Sequence, residues 1–349
     1  MATILVTGGF GFIGSHTCVK LLENNHNLIV IDSFINSSYQ IVGHVNEIIR
    51  KYSLFNNLSI FKGDIRDAIS LEKIFQKAKE NYTPIDVVIH FAGYKSVSNS
   101  FVKPLDYWSN NLGGTINLLY IMEKFSCKNL IFSGSASIYG NTSRNPIRED
   151  CEINPTSPYA ETKAAIEKLL KDTQKSGKEW KIITLRYFNP VGAHPSGLIG
   201  ENPIGIPNNI FPFLTEVAFG IRSHLKIFGN DWPTIDGTGV RDYIHVMDIA
   251  DGHVAAMEYI FNADPNLYIF NLGTGIGTSV FELVEIFQKT NNIKIPYEIC
   301  DRRIGDVGEL IADNSLAKSE LNWKPKRSLK EMCEDGWSWQ SKKLKIGRS

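Results

Sequence analysis

A serine at a strand end, followed by a tyrosine and a lysine one helical turn apart, makes a site that moves a proton and a hydride together. In this 349-residue chain, Ser135-Ala136-Ser137-Ile138-Tyr139-Gly140 follows a strand-like run over 129–133. Ser157-Pro158-Tyr159-Ala160-Glu161-Thr162-Lys163 then opens a helix-like run. Ser157 suits the N-cap and Pro158 the first helical position. Tyr159 and Lys163 share one face at i and i+4, which makes Ser135, Tyr159 and Lys163 the candidate catalytic residues. Tyr120 and Lys124 repeat the spacing. Position separates the two pairs, because ligands of an open parallel sheet bind at the carboxyl ends of the strands, where helices begin. Tyr159 falls at a helix start. Tyr120 falls near a helix end, just before the strand at Asn129, and so at the opposite edge.

The elements that must position these groups read as alternating strands and helices. Residues 3–6 form a short buried strand, followed by Thr7-Gly8-Gly9-Phe10-Gly11-Phe12-Ile13-Gly14 and an amphipathic helix to about 23. Glycines between a strand and a helix allow a tight turn, approach to a pyrophosphate and close helix–strand packing. A second strand, 28–31, ends at Asp32, about 20 residues past the glycines, where a carboxylate suits ribose hydroxyls and repels a 2′-phosphate. That favours NAD over NADP; a turn cap is the alternative role. A third strand, 58–61, leads to Asp64 and Ile65, which flank an adenine or form a turn. A fourth, 86–90, runs into Phe91-Ala92-Gly93-Tyr94-Lys95, small enough for a cofactor to pass close to backbone.

A helix over 105–125 carries apolar residues (Trp108, Leu112, Ile116, Leu119) on more than one face, so one face packs on the sheet and another meets a partner subunit. A strand over 181–185 ends in Arg186-Tyr187-Phe188-Asn189-Pro190. The alternation predicts an α/β fold with a doubly wound, Rossmann-type parallel sheet. The pattern changes at Pro190. Residues 191–212 read as loop, 227–229 and 239–245 as short β pieces, 246–261 as helix, 269–273 as strand and turn, and 280–289 and 315–321 as helices. The expected division is a cofactor domain over 1–189 and a smaller mixed α/β substrate domain over 190–349, with 240–270 recrossing to the first. Arg241, Arg302 and Arg303 either grip a diphosphate or form surface salt bridges.

Net charge is zero, which removes the electrostatic argument for nucleic acid or a membrane surface. The five cysteines are scattered, without Cys-x-x-Cys, and fit reduced thiols in a cytoplasmic protein. The eight histidines show no metal-ligand spacing, so no metal is expected. The chain enters its first strand without a charged leader, and no apolar run is long enough to span a bilayer.

These motifs resemble the extended short-chain dehydrogenase/reductases, and within them the UDP-glucose 4-epimerases. The resemblance covers about residues 3–339. Its narrow part is the run from Arg186 to Gly197, Gly205-Ile206-Pro207-Asn208-Asn209, and the run from Gly237 to Asp248. It implies interconversion of UDP-glucose and UDP-galactose, tightly held NAD, and a homodimer built on helices 105–125 and 158–174. Carried over by position, Gly8, Gly11, Phe12, Ile13, Asp32, Ser33, Phe34, Ile35, Asn36, Ser37, Asp64 and Ile65 surround NAD. So do Phe91, Ala92, Gly93, Tyr94, Lys95, Asn110, Ser135, Tyr159, Lys163 and Phe188. Ser135, Tyr159, Asn189, Asn209, Lys226, Phe228, Arg241, Arg303 and Asp306 surround the UDP-sugar, with Phe228 near the uracil and the arginines on the diphosphate. Leu310 stands where bulk in similar epimerases narrows the pocket beside the sugar C2. Gly134 departs from the serine common in the family, and Tyr-Ala-Glu-Thr-Lys from the commoner helix opening, with the reacting pair intact.

In the implied mechanism, Tyr159 as phenolate takes the 4-hydroxyl proton while C4 gives a hydride to NAD. The 4-ketose turns over and is reduced on its other face, with Ser135 hydrogen-bonded to O4. A tyrosine that titrates near 10 must drop about three units, roughly 4 kcal/mol, to act near neutrality. A lysine at about 6 Å and an effective dielectric of about 20 supplies roughly 2.8 kcal/mol, leaving the rest to the nicotinamide charge. The rivals are a nucleotide-sugar dehydratase and a non-catalytic NAD-sensing protein. Related dehydratases carry Asp-Glu after the serine, where this chain has Ala136 and Ser137. NAD sensors tend to lose the Tyr/Lys pair.

Overall fold

Short runs of Val, Ile and Leu fix the centre of the molecule. The computed structural model describes residues 1–50, 57–81, 83–142, 144–205, 207, 209–303 and 306–346. Ile206 and Asn208 of the substrate-side motif lie outside them. In chain order the first half runs β1 (Thr3–Thr7), α1 (Phe12–Glu23), β2 (Asn27–Asp32), α2 (Gln40–Ile49), β3 (Leu58–Lys62), α3 (Ala68–Glu80) and β4 (Val87–His90). It continues with α4 (Val97–Val102), α5 (Pro104–Tyr107), a π-helical stretch Trp108–Gly113, α6 (Gly114–Lys124) and β5 (Asn129–Ser135). A 3₁₀ turn Ala136–Tyr139, α7 (Pro158–Ser176) and β6 (Lys181–Tyr187) follow. The second half holds β7 (Asn189–Val191), α8 (Ile210–Ala218), β8 (Leu225–Phe228), β9 (Val240–Arg241), β10 (Tyr243–His245), α9 (Val246–Asn262) and β11 (Leu267–Leu272). It ends with β12 (Thr278–Ser279), α10 (Val280–Asn291), β13 (Tyr297–Cys300), β14 (Glu309–Leu310), α11 (Ser315–Glu320) and α12 (Leu329–Ile346).

Seven parallel strands in the order β11-β6-β5-β4-β1-β2-β3 make one sheet. This is the doubly wound α/β arrangement, with strand order reversing between β1 and β4. Central strands are buried on both faces, so they read as continuous apolar runs rather than alternating ones. One core holds Ile4, Val6, Leu22, Val30 and Ile183, and the other Leu5, Ile31, Val88, Leu130 and Ile182. Neighbours in one strand thus serve opposite faces. Truncating Ile4 or Leu5 to alanine should cost about 2–5 kcal/mol. A third core, with Phe211, Leu214, Ile227, Leu283, Phe287 and Met332, fills the second half.

Two expectations change. The helix over 105–125 is interrupted by the π-helical stretch Trp108–Gly113. Its extra backbone reach turns Asn110 and Asn111 inward together, both buried, as π insertions at functional sites do. The loop over 191–212 ends early, because α8 starts at Ile210 with its apolar face on the third core. Strand β11 pairs in parallel with β6 and forms the sheet edge, Leu267 opposite Ile182 through Leu272 opposite Tyr187.

Candidate active site

Strand ends and helix starts converge on one cleft beside the point where strand order reverses. Gly8 has φ +67°, and a Cβ on it would lie 2.7 Å from the Ala92 nitrogen. A Cβ on Gly14 would meet the Gly8 carbonyl at 2.5 Å. The turn therefore needs glycine in both places. No side chain caps α1, which leaves its first turn facing the cleft as an anion site. The Asp32 carboxylate accepts from the Phe10 nitrogen at 2.9 Å and the Phe34 nitrogen at 2.8 Å while lining the cleft. The carboxylate thus takes the turn-cap role while facing the cleft. The Asn110 amide oxygen lines the same cleft, is buried, and has no partner among the described residues. A glycine cradle, a terminal carboxylate and an orphaned acceptor fit an adenine dinucleotide.

Gly11, Phe12, Ile13, Ser33, Ile35, Asn36, Ser37, Asp64, Ile65, Phe91, Ala92, Gly93, Tyr94, Lys95 and Phe188 line this cleft too. Phe34 does not. Its ring stacks on Phe10 with centroids 5.6 Å apart, and it has φ +56°.

The reacting groups come from two elements. Ser157 caps α7 by accepting from the Ala160 nitrogen at 3.2 Å, with Pro158 in the first turn. The Ser135 hydroxyl, at the end of β5, stands close enough to the Tyr159 phenol to favour its ionised form. It also lies 2.8 Å from the Ser137 hydroxyl. Lys163 Nζ donates to the Ser133 carbonyl at 2.7 Å and sits 4.7 Å above the Phe132 ring. Ser135, Tyr159 and Lys163 all line the cleft. Tyr120 is 72 % exposed, and Lys124 pairs with Glu72 at 2.7 Å, so the second tyrosine–lysine pair stands on the surface, outside this cleft. A Cβ on Gly134 would meet the Leu185 carbonyl at 2.9 Å, which accounts for glycine at that departure from the family pattern.

The electrostatics differ from the spacing argument. Burial raises the Tyr159 phenol above its ordinary value; the Ser135 hydroxyl opposes this and Tyr107 reinforces it. Lys163 lies one helical turn along α7 from Tyr159. Burial lowers its own value to about 8, with the Glu167 carboxylate opposing. At about 8, Lys163 still carries its proton near neutral pH, so the phenol keeps a cationic neighbour one helical turn away. Buried His90, lowered to about 3 mainly by desolvation, stays neutral between Thr7 at 2.6 Å and Thr115 at 2.9 Å.

On the substrate side, Asn189 and Asn209 line the cleft. Lys226, Phe228, Arg241, Arg303 and Asp306 do not; the last four form a cluster beyond it. The Arg303 guanidinium covers the Phe228 ring at 4.7 Å and donates to Asp306 at 3.0 Å, and Arg241 lies 3.7 Å from Asp306. Lys226 is exposed on β8, two residues before Phe228. Register places Arg241 opposite Leu310, and Leu310 lines the cleft, so cleft and cluster are continuous. Arg302 takes the salt-bridge alternative: it pairs with Asp231 at 2.7 Å and stacks on Trp232 at 3.9 Å.

Glu201, Asn202 and Pro203 line the cleft without having been expected there. One oxygen of Glu201 accepts from Lys95 at 2.8 Å and from Asn209 at 2.9 Å. A single glutamate in a Gly-, Pro- and Asn-rich loop has no periodicity that would single it out.

Comparison with known proteins agrees with this geometry. The family model described as GDP-mannose 4,6 dehydratase matches residues 5–336. UDP-glucose 4-epimerase 2 of Arabidopsis thaliana is 49 % identical over 97 % of this chain and 95 % of its own. The UDP-glucose 4-epimerase of Bacillus subtilis is 47 % identical over 97 % and 96 %. The UDP-glucose 4-epimerase structure from Stenotrophomonas maltophila, with bound NAD and formylated UDP-arabinopyranose, superposes with a TM-score of 0.94 at 41 % identity, covering 99 % of this chain and 100 % of that one. The Bifidobacterium longum enzyme in complex with NAD+ and UDP gives 0.92 at 42 %, covering 98 % and 99 %. The fold, the cleft and these likenesses lead to one conclusion: the chain belongs to the UDP-glucose 4-epimerases of the extended short-chain dehydrogenase/reductase family.

Proposed function

We propose that this chain interconverts UDP-glucose and UDP-galactose, with Tyr159 as acid and base, Lys163 as its charged partner and Ser135 as the hydrogen-bond partner of the sugar O4. The observation that carries this is Ser135, Tyr159 and Lys163 gathered on one cleft wall, with Lys163 one turn along the helix from Tyr159. NAD supplies the acceptor and donor of hydride at C4 and a positive ring beside the phenol when bound. Gly8, Gly11 and the first turn of α1 would hold its pyrophosphate, Asp32 its ribose, and the Asn110 amide oxygen would accept from one of its donors. Tyr159 removes the O4 proton and later returns it. Ser135 keeps O4 in register in both directions. Because burial raises the Tyr159 phenol, the step depends on cofactor charge as well as on Lys163. Ala136 is buried, and Ser137 donates its nitrogen to Ser135 Oγ at 3.2 Å. Neither offers the extra acid and base a dehydratase needs.

Residues 1–189 bind NAD and 190–349 the UDP-sugar, with 240–270 returning to the first unit; the place of β11 on the main sheet supports that division. Asn189, Asn209, Lys226, Phe228, Arg241, Arg303 and Asp306 form the nucleotide-sugar side. The chain acts as a homodimer, supported by Phe101, Val102, Leu105 and Tyr120, which stay exposed along α4 to α6. A cytoplasmic location is supported by five free thiols. No helix among the described residues is long and apolar enough to cross a membrane. A monomer by light scattering at micromolar concentration would count against the dimer.

The decisive experiment follows the hydrogen at C4. UDP-galactose deuterated at C4 should give UDP-glucose that keeps the label in ordinary water. Loss of the label to solvent would overturn the mechanism, and a 4-keto-6-deoxy product would make the chain a dehydratase.

A further inference from the structure

Behind the acid–base pair lies a charged network that takes no part in the chemistry above. Arg186 on β6 is 2 % exposed and Glu167 on α7 is 5 % exposed. The guanidinium donates to both carboxylate oxygens, Nε to Oε1 at 3.1 Å and Nη2 to Oε2 at 2.7 Å. Its Nη1 donates to the Tyr139 hydroxyl at 2.7 Å and to the Glu149 carbonyl at 3.0 Å. The Tyr139 hydroxyl in turn donates to the Asn271 amide oxygen at 2.7 Å.

Two features give this network a direction. Glu167 follows Lys163 by one helical turn and Tyr159 by two, so all three lie along one face of α7. Tyr139 closes the 3₁₀ turn that begins directly after Ser135. One arginine therefore grips both the helix bearing Tyr159 and Lys163 and the turn bearing Ser135, from a strand between them. Two charges taken out of water are costly, and apolar replacements usually fold as well or better, so stability alone is a weak reason for such a pair.

We propose that Glu167 and Arg186 are positioning residues for the epimerase reaction, locking the acid–base helix to the Ser135 turn, with the Glu167 carboxylate serving as counter-charge to Lys163. The groups around Lys163 support the second part. His90 on β4 is neutral, Tyr187 on β6 is buried and held protonated, and Tyr159 on α7 is held protonated by burial. Glu167 is the carboxylate that acts on the ammonium. Arg186 neutralises that carboxylate in part, so removing Glu167 alone leaves Lys163 facing an uncompensated guanidinium.

The test compares E167Q, the double variant E167Q/R186M and Y159F, with kcat and KM for UDP-galactose measured from pH 6 to 10 and bound NAD quantified. E167Q should keep its NAD and a near-normal KM, and lose kcat by about tenfold or more. Its alkaline limb should move down by about one pH unit. The double variant strands no charge; its limb should return toward that of the parent while kcat stays low, because the tether is gone. If E167Q does not fold, the double variant decides by kcat against KM. Low kcat with an unmoved limb in E167Q marks a merely structural pair and overturns the counter-charge. Parental kcat in the double variant overturns the tether. The proposal rests on Tyr159 as acid and base: active Y159F would sink that reading, whereas inactive Y159F beside unaffected E167Q would sink this one alone.

Discussion

Lys95 and Glu201 meet across the cleft at 2.8 Å, although 106 residues separate them in the chain. Lys95 comes from the loop after β4, on the cofactor side, and Glu201 from the loop beyond β7. The same Glu201 oxygen accepts from Asn209 on the substrate side. Nearby, the Ile204 nitrogen donates to Asn36 at 3.4 Å, so the loop is fastened to the cofactor turn twice. With the Lys95 side chain 43 % exposed, solvent discounts the pair to about 0.5–1 kcal/mol. E201A should therefore release NAD about two- to fivefold faster, read as nucleotide retained through gel filtration. The nucleotide freed by perchloric acid should be NAD, and finding NADP would defeat the Asp32 argument.

Two tyrosine–lysine pairs of equal spacing offer an internal control. Y159F should fold, keep NAD and lose turnover by about two to four orders of magnitude. Y120F should keep turnover within about twofold, since an exposed substitution away from special features perturbs stability by about 0.5 kcal/mol at most. The reverse pattern would reassign the acid–base residue.

Leu310 sits where the cleft meets the Arg241 cluster, paired with Arg241 across β14 and β9. Its side chain lines the cleft wall. UDP-galactose should be preferred to UDP-N-acetylgalactosamine, by an amount in the range of about 1–3 kcal/mol that pocket crowding allows. L310G should narrow the gap in kcat/KM. Equal kcat/KM for both sugars in the parent protein would remove Leu310 as the discriminating contact.

Three histidines are buried as neutral groups: His16 and His90 lowered to about 3 and His253 to about 4, each chiefly by desolvation. Unfolded histidine titrates near 6.5, so between about pH 4 and 6.5 the unfolded chain binds more protons. Stability is then greatest above pH 6.5 and falls as pH falls, by about 3 kcal/mol per pH unit near pH 6 from these groups. Asp32, Asp242 and Glu149, raised by burial, work in the opposite sense. Urea unfolding at pH 7.5 and 6.0 should give a lower midpoint at 6.0. An unchanged or higher midpoint would contradict the neutral, buried histidines.

The sequence alone settled the parts of this protein that depend on local order. Apolar runs between glycines and helix patterns gave the parallel sheet, because a strand buried on both faces has no room for alternation. The glycines at 8 and 14 were legible because only they permit the turn and its close contacts. The Ser157 cap and Pro158 fixed the start of α7, and with it the face shared by Tyr159 and Lys163. Four things waited for the tertiary structure. The π-helical turn that aims Asn110 inward has no pattern of its own, since an apolar periodicity of 3.6 does not register one added residue. Phe34 leaves the cleft because its partner Phe10 lies on another loop. Glu201 reaches Lys95 across 106 positions, a pairing set by how two loops meet. The burial of the acid–base pair, which raises Tyr159 and lowers Lys163, was also out of reach of spacing alone. Desolvation is a property of everything packed around a group, and only the folded chain brings those neighbours together.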